Sequence, residues 1–422
     1  MEENRAGARL GPGVTRARLH APDPQPVTFV ELFFDLVFVF AVTQLTALTA
    51  GDLTAAGVVR SLVLFWLVWW SWTQFTWTLN PADTGHTLVR ACTLLATAVA
   101  FVMAASVTDA YGADPLWFVV PYLVVRLLGL ALQVRVDLER GDIDDRNGVW
   151  RWAGASTVVL LVVLAGGFLG VEGRTWLWAL AVCGDLAATS FAGRGYLWDL
   201  HAAHFAERHG LFVIIALGES LIVAGTAVAS DERTPELIAA AGAALIVACL
   251  LWWTYFGWLK EALQDGLRAT PAQDVGRVAR DAFSLAHFAL VCGIVGFAVA
   301  VEEIVAHPDE GLHSEVTLAL GSGVALFVGF SAFALWRARG ILLVPRLALL
   351  VATLVGVAVV PDSSPVWPLA ALALGLLVVI VSEELRRPAT DAGGEVGIDD
   401  LSRDPGVDAA APGRGGAPAG QP

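Results

Sequence analysis

Charge is what this sequence has least of: acidic and basic side chains together fill 16% of its 422 positions, where an ordinary soluble domain carries about a quarter. Cysteine is scarce as well. Cys92, Cys183, Cys249 and Cys292 all fall in apolar stretches without paired spacing, so neither a disulfide framework nor a zinc site is implied. No basic patch with interleaved aromatics is present, so nucleic acid is not an expected partner. No His-Glu-x-x-His occurs either, and neither metal nor cofactor is expected. A cleavable leader is also missing: residues 1–26 are polar, and the apolar run behind them carries Glu31 and Asp35. A secretory signal has a shorter, uncharged core and a small-residue cleavage site. The pattern predicts a retained first helix.

What the sequence does have is long apolar blocks. Hydrophobic residues make up 56% of the chain and mean hydropathy is +0.66. A bilayer-spanning helix needs about 20 predominantly apolar residues. Twelve such runs lie near 28–48, 59–79, 87–107, 115–134, 152–170, 175–193, 209–229, 236–257, 281–302, 315–335, 341–360 and 365–382. The fold class expected is therefore all-α, a polytopic transmembrane bundle of about twelve spans in contact with the lipid bilayer.

Orientation follows from Lys and Arg, which accumulate in cytoplasmic segments. With the N-terminus inside, 22 of the 26 basic residues fall in cytoplasmic segments. Only Arg60, Arg174 and Arg233 fall outside, and Arg126 lies within a span. The pattern predicts a cell-membrane protein with both termini cytoplasmic. Much of the net charge of −14 sits in outside loops and the C-terminal tail, where it reads as solvated charge.

The expected organisation is a cytoplasmic tail over 1–26, a six-helix half over 27–193, a connector over 194–208, a second half over 209–385 and a disordered cytoplasmic tail over 386–422. An internal echo supports the division. Leu67-Val-Trp69-Trp70 resembles Leu250-Leu-Trp252-Trp253 at an offset of 183, and Asp35 and Glu219 lie 184 apart. Six helices per unit is an even number, so two such units would be parallel repeats.

Function is best sought among the ionisable groups inside the spans. Each costs about 2.5–3.5 kcal/mol on insertion scales and so meets a partner or a water-filled cavity. Glu31 and Asp35 are four apart on one face of the first span, as a structural ion pair or as handlers of a cation or proton. Arg126 in the fourth span cannot lose its charge; Asp35, Glu31 or Asp185 could each supply its carboxylate, and Gln133 shares its face. His204, Glu207 and Arg208 open the seventh span, and Glu219 lies eleven residues beyond Arg208, roughly 16 Å up the same helix face. His287 in the ninth span is a packing residue or a group titrating near physiological pH. The Trp stripe of the second span reads as packing and interfacial anchoring.

Glu31-Leu-Phe-Phe-Asp35-Leu-Val-Phe-Val39 resembles the opening motif of the bacterial low temperature requirement protein A family, and so does Glu207-Arg-His-Gly-Leu-Phe-Val-Ile-Ile-Ala-Leu-Gly-Glu219. His287, Gly293 and Glu302 before His307-Pro308 resemble that family's pattern in the ninth span. The resemblance covers roughly 27–385. It implies a multi-pass membrane protein linked to growth in the cold, and no particular reaction. The functional expectation is a channel or secondary transporter for a small ion or solute, with its pathway among Glu31, Asp35, Arg126, Gln133, Asp185, His204, Glu207, Arg208, Glu219 and His287. The alternatives are a non-transporting stress-adaptation or sensor protein, and a lipid-modifying enzyme using His204 and Glu207.

Overall fold

The structure, a computed structural model, describes residues 18–21, 25–139, 143–192, 198–230, 232–359 and 364–386. Nearly all of the two expected tails, and with them Arg5, Arg9, Arg16, Arg387, Arg403 and Arg414, lie outside the described residues, as do Arg140, Arg194 and Asp231. Among the described residues the regular structure is helical throughout, as the apolar runs require. With no water to satisfy peptide groups in hydrocarbon, a helix bonds its own backbone.

The helices are α1 (Phe29–Ala50), α2 (Ala55–Leu79), α3 (Thr87–Ala105), α4 (Leu116–Leu138), α5 (Ile143–Gly167), α6 (Val171–Ala187) and α7 (Ala202–Ser230). They continue as α8 (Pro235–Phe256), α9 (Leu259–Arg268), α10 (Ala272–Ala279), α11 (Ala286–Ala306), α12 (Ser314–Arg339), α13 (Val344–Val359) and α14 (Val366–Glu384). Among the described residues, ten helical stretches are long and apolar enough to cross a membrane. The sixth and eleventh expected runs fall on α6 and α13, which are shorter, at 17 and 16 residues. Each of the twelve runs thus has its helix. The short amphipathic helices α9 and α10 interrupt the chain between the eighth and ninth runs. The described residues up to Ile380 form one compact unit, and those from Val381 complete α14 and a turn.

Two π-helical turns, Ala188–Ala192 after α6 and Arg280–Leu285 before α11, break the regular ladder. Such turns cluster at functional sites. Helix ends follow local chemistry. The Glu31 carboxylate accepts from the Thr28 backbone N–H at 2.9 Å and from its hydroxyl at 2.8 Å, closing the start of α1. Gly340 ends α12 with φ of 70°, a left-handed conformation that side chains disfavour.

Polarity is inverted relative to a soluble protein. Large apolar side chains such as Leu36, Phe101, Trp117, Leu161, Leu180 and Leu318 are exposed, while Glu31, Asp35, Arg126, Asp185, Arg208 and Glu219 are buried. Contacts fix the register of the central helices. Arg208 meets Glu31 and Glu219 meets Thr43, so α1 and α7 run parallel. Trp77 packs on Phe205 and Trp69 on Phe212, so α2 runs antiparallel to α7. Helices α11 and α12 cross with backbones in contact, since a Cβ on Gly293 would stand 2.5 Å from the Gly323 carbonyl oxygen. The Trp pairs of the internal echo sit in opposite surroundings: Trp69 and Trp70 are buried, Trp252 and Trp253 exposed.

Candidate functional site

The polar residues singled out from sequence gather into two buried charge centres and an upper acid, arranged around α2. In the first centre α7 meets α1. The Arg208 guanidinium donates to Glu31 Oε1 at 3.2 Å and to Asp35 Oδ1, and all three side chains are at most 1% exposed. The Trp72 indole donates to the same Asp35 oxygen at 2.7 Å, and its ring lies under the Arg208 guanidinium at 5.8 Å. Among the described residues, Asp35 Oδ2, Arg208 Nε and His204 Nε2 find no hydrogen-bond partner. His204 places Nε2 3.0 Å from Glu31 Oε1 and Nδ1 3.1 Å from Asn80 Nδ2. Asn80 also clasps the residue before α7, accepting from the His201 N–H at 2.7 Å and donating to its carbonyl at 3.2 Å. Burial holds the His201 imidazole below its ordinary range.

The second centre joins α4 to α6. Of the three carboxylates available to Arg126 in sequence, Asp185 is its partner, at 3.3 Å. Arg126 also donates to Gln74 Oε1 at 2.6 Å and to the Tyr122 hydroxyl at 2.9 Å. The Trp66 indole reaches Asp185 Oδ2 at 3.3 Å. Gln133 shares the helix but not the centre; its carbonyl accepts from the Thr78 hydroxyl at 3.3 Å.

Farther along α7, buried Glu219 accepts from the Thr43 hydroxyl at 2.6 Å, and Glu302 lies near the end of α11. Its expected stripe-mate Glu207 stands apart, half-buried and in no ion pair among the described residues. His287 is fully buried. Its Nδ1 lies 3.0 Å from the Ala282 carbonyl and its Nε2 2.6 Å from the Tyr255 hydroxyl. A carbonyl only accepts, so Nδ1 carries the proton and Tyr255 donates to Nε2. The same logic applies to His209, whose Nδ1 bonds the Phe205 carbonyl at 2.9 Å and whose Nε2 is bare. That ring sits among Trp69, Trp72, Phe205, Phe283 and His287.

Sequence reasoning missed the part played by the Trp stripe. Besides packing, Trp66 and Trp72 donate to the two acids, while Trp69 and Trp77 donate to the carbonyl and hydroxyl of Ser284 in the second π turn, at 2.8 and 2.9 Å. Gln74, Asn80 and Tyr122 were also missed, although a polar residue inside an apolar helix was the available signal. Trp72→Phe removes a donor to a buried carboxylate, a loss of about 1–3 kcal/mol. The thermal midpoint in detergent is expected to fall, whereas the exposed Trp117→Phe should leave it in place.

Among known proteins, the chain matches the family model of the bacterial low temperature requirement A protein over residues 26–381. It is 28% identical over 324 residues to the uncharacterized protein RA0937 of Rhizobium meliloti (strain 1021), covering 73% of this chain and 76% of that one. No solved structure matches it.

Proposed function

Because the chain belongs to the bacterial low temperature requirement A family, and because its core carries acids in succession along three packed helices, we propose that it is a secondary transporter or channel for a small ion. The observation that carries this reading is the succession itself. Glu31 and Asp35 lie at the start of α1, Thr43 and Glu219 about three turns farther along α1 and α7, and Glu302 near the far end of α11. A stabilising ion pair needs one acid and one base; Glu219 bonds a hydroxyl and joins no ion pair among the described residues. Acids placed this way in a membrane usually mark an ion path.

In the orientation favoured by the basic residues, both termini are cytoplasmic and the Arg208 centre lies near the cytoplasmic end of the path. Asp35, Arg208 and Glu219 are its central groups, and Arg126 with Asp185 pins α4 to α6 beside it.

A second reading, a non-transporting stress-adaptation protein, draws on the separate pairing of Arg126 and Arg208 with acids of their own. The lipid-modifying enzyme draws less support, since His204 is engaged by Glu31 and Asn80 while Glu207 stands apart.

Flux separates the readings. Wild-type protein in liposomes loaded with a pH dye, and separately with a potassium-sensitive dye, is expected to dissipate an imposed gradient of one ion. Glu219→Gln is expected to slow that flux tenfold or more while keeping the wild-type elution profile. An inert wild-type protein would favour the non-transporting reading, and unchanged flux in the variant would remove Glu219 from the path.

A further inference from the structure

We propose that Asp35 carries an exchangeable proton on Oδ2 while Glu31 stays ionised, so that the ion handled at the α1–α7 centre is the proton, an assignment that rests on the transport reading and names its ion.

The case begins with hydrogen-bond accounting. Glu31 Oε2 accepts from the Thr28 N–H and hydroxyl at 2.9 and 2.8 Å, and Oε1 faces Arg208 and His204 at 3.2 and 3.0 Å. Three hydrogen-bond donors on two oxygens, with the His204 ring close by, leave a carboxylic proton little room and favour the ionised form. Asp35 is treated unequally: Oδ1 takes both Arg208 and Trp72, and Oδ2 takes nothing.

His204 is held neutral by its own geometry. The His201 N–H bonds Asn80 Oδ1 at 2.7 Å, which turns the amide so that its NH₂ donates to His204 Nδ1. Nδ1 must therefore be a bare acceptor, and the single proton sits on Nε2, facing Glu31. An imidazolium would set two donors against each other across that 3.1 Å contact. The neighbouring histidines are neutral as well. His209 and His287 each spend their proton on a backbone carbonyl, and half-buried His201 is held below its ordinary range.

The charges then fail to cancel. Among the described residues Arg208 is the one cation paired with Glu31 and Asp35 besides the neutral His204. Two carboxylates against one guanidinium leave the centre with one net negative charge, in surroundings where an uncompensated charge is costly. The Arg126–Asp185 centre, by contrast, sums to zero. One proton on Asp35 brings the first centre to zero too, converting a carboxylate to a carboxylic acid. A metal cation is poorly served: no group of three or more His, Cys, Asp or Glu that could hold one occurs among the described residues, and Arg208 already stands between the two acids. Gain and loss of the proton changes the pull of α1 on Arg208, and so on α7.

Infrared spectroscopy of the full chain in lipid tests this directly. Wild-type protein with ¹³C-labelled Asp carboxyls is expected to show an isotope-shifted carboxylic C=O band at neutral pH that bleaches on alkalinisation. The band should be absent in Asp35→Asn and retained in Glu31→Gln. The isotope arm needs no variant, so a misfolded Asp35→Asn would not rescue the proposal. No Asp carboxylic band, or one that survives Asp35→Asn, overturns it. Flux without the band would leave the transport reading intact and remove the proton, whereas the band without flux would do the reverse.

Discussion

Arg208→Leu is expected to yield little or no folded protein, the largest single-residue effect in the chain. The guanidinium bridges both acids of α1 while lying over Trp72, and none of the three groups reaches solvent. Its removal leaves the ionised Glu31 beside Asp35 with no cation, in a fully buried site. Breaking a buried ion pair by deleting one partner costs about 3–5 kcal/mol, a large part of a membrane protein's margin. Arg208→Lys is expected to recover only part of this, because an ammonium is a compact point charge and lacks the planar fork. The triple variant Arg208→Leu with Glu31→Gln and Asp35→Asn restores neutrality and is expected to recover more folded protein than Arg208→Leu alone. Fluorescence-detected gel filtration ranks the variants. A monodisperse Arg208→Leu at wild-type yield would mean that the centre does not hold α1 to α7.

Gly323→Val is expected to come next. A Cβ at this position would stand 2.8 Å from both the Gly293 carbonyl oxygen and the Phe297 nitrogen. Those atoms belong to the backbone of α11, so no side chain can rotate aside to make room. The crossing of α11 and α12 must open, and with it goes the close approach that stands in for a hydrophobic force between helices in lipid. Loss of several kcal/mol and a polydisperse elution profile are the expected readouts. Gly329 on the same helix is the control, because a Cβ there meets nothing within 4 Å. Gly329→Ala is expected to be neutral or slightly stabilising, by up to about 1 kcal/mol, through helix propensity.

Hydropathy made the helices legible because the bilayer imposes one length and one composition on every span. The acids and Arg126 were legible for the same reason, as exceptions to that composition. Partners were not. Arg126 had three candidate carboxylates, and only the placement of α6 against α4 selects Asp185. The spacing that put Glu207 with Arg208 was sound for an isolated helix, yet Glu207 is half-buried and joins no ion pair among the described residues. Helix α7 also begins at Ala202, ahead of the expected 209–229 span, which draws Arg208 out of the connector and into the core. The indoles were unreadable in principle: a Trp that donates to a buried acid and a Trp that only fills space look alike in one sequence.

The π turn before α11 holds one more residue than an α-helical turn of the same rise. Within that turn the Ser284 carbonyl accepts from Trp69 and its hydroxyl from Trp77. A chain one residue shorter here would close an ordinary helix and turn its two flanks relative to each other by about 100°, carrying Ser284 out of reach of the two indoles. The docking of α2 on α11 therefore depends on chain length as much as on residue identity, and a single deletion between Arg280 and Leu285 would disturb it with every side chain of α2 intact.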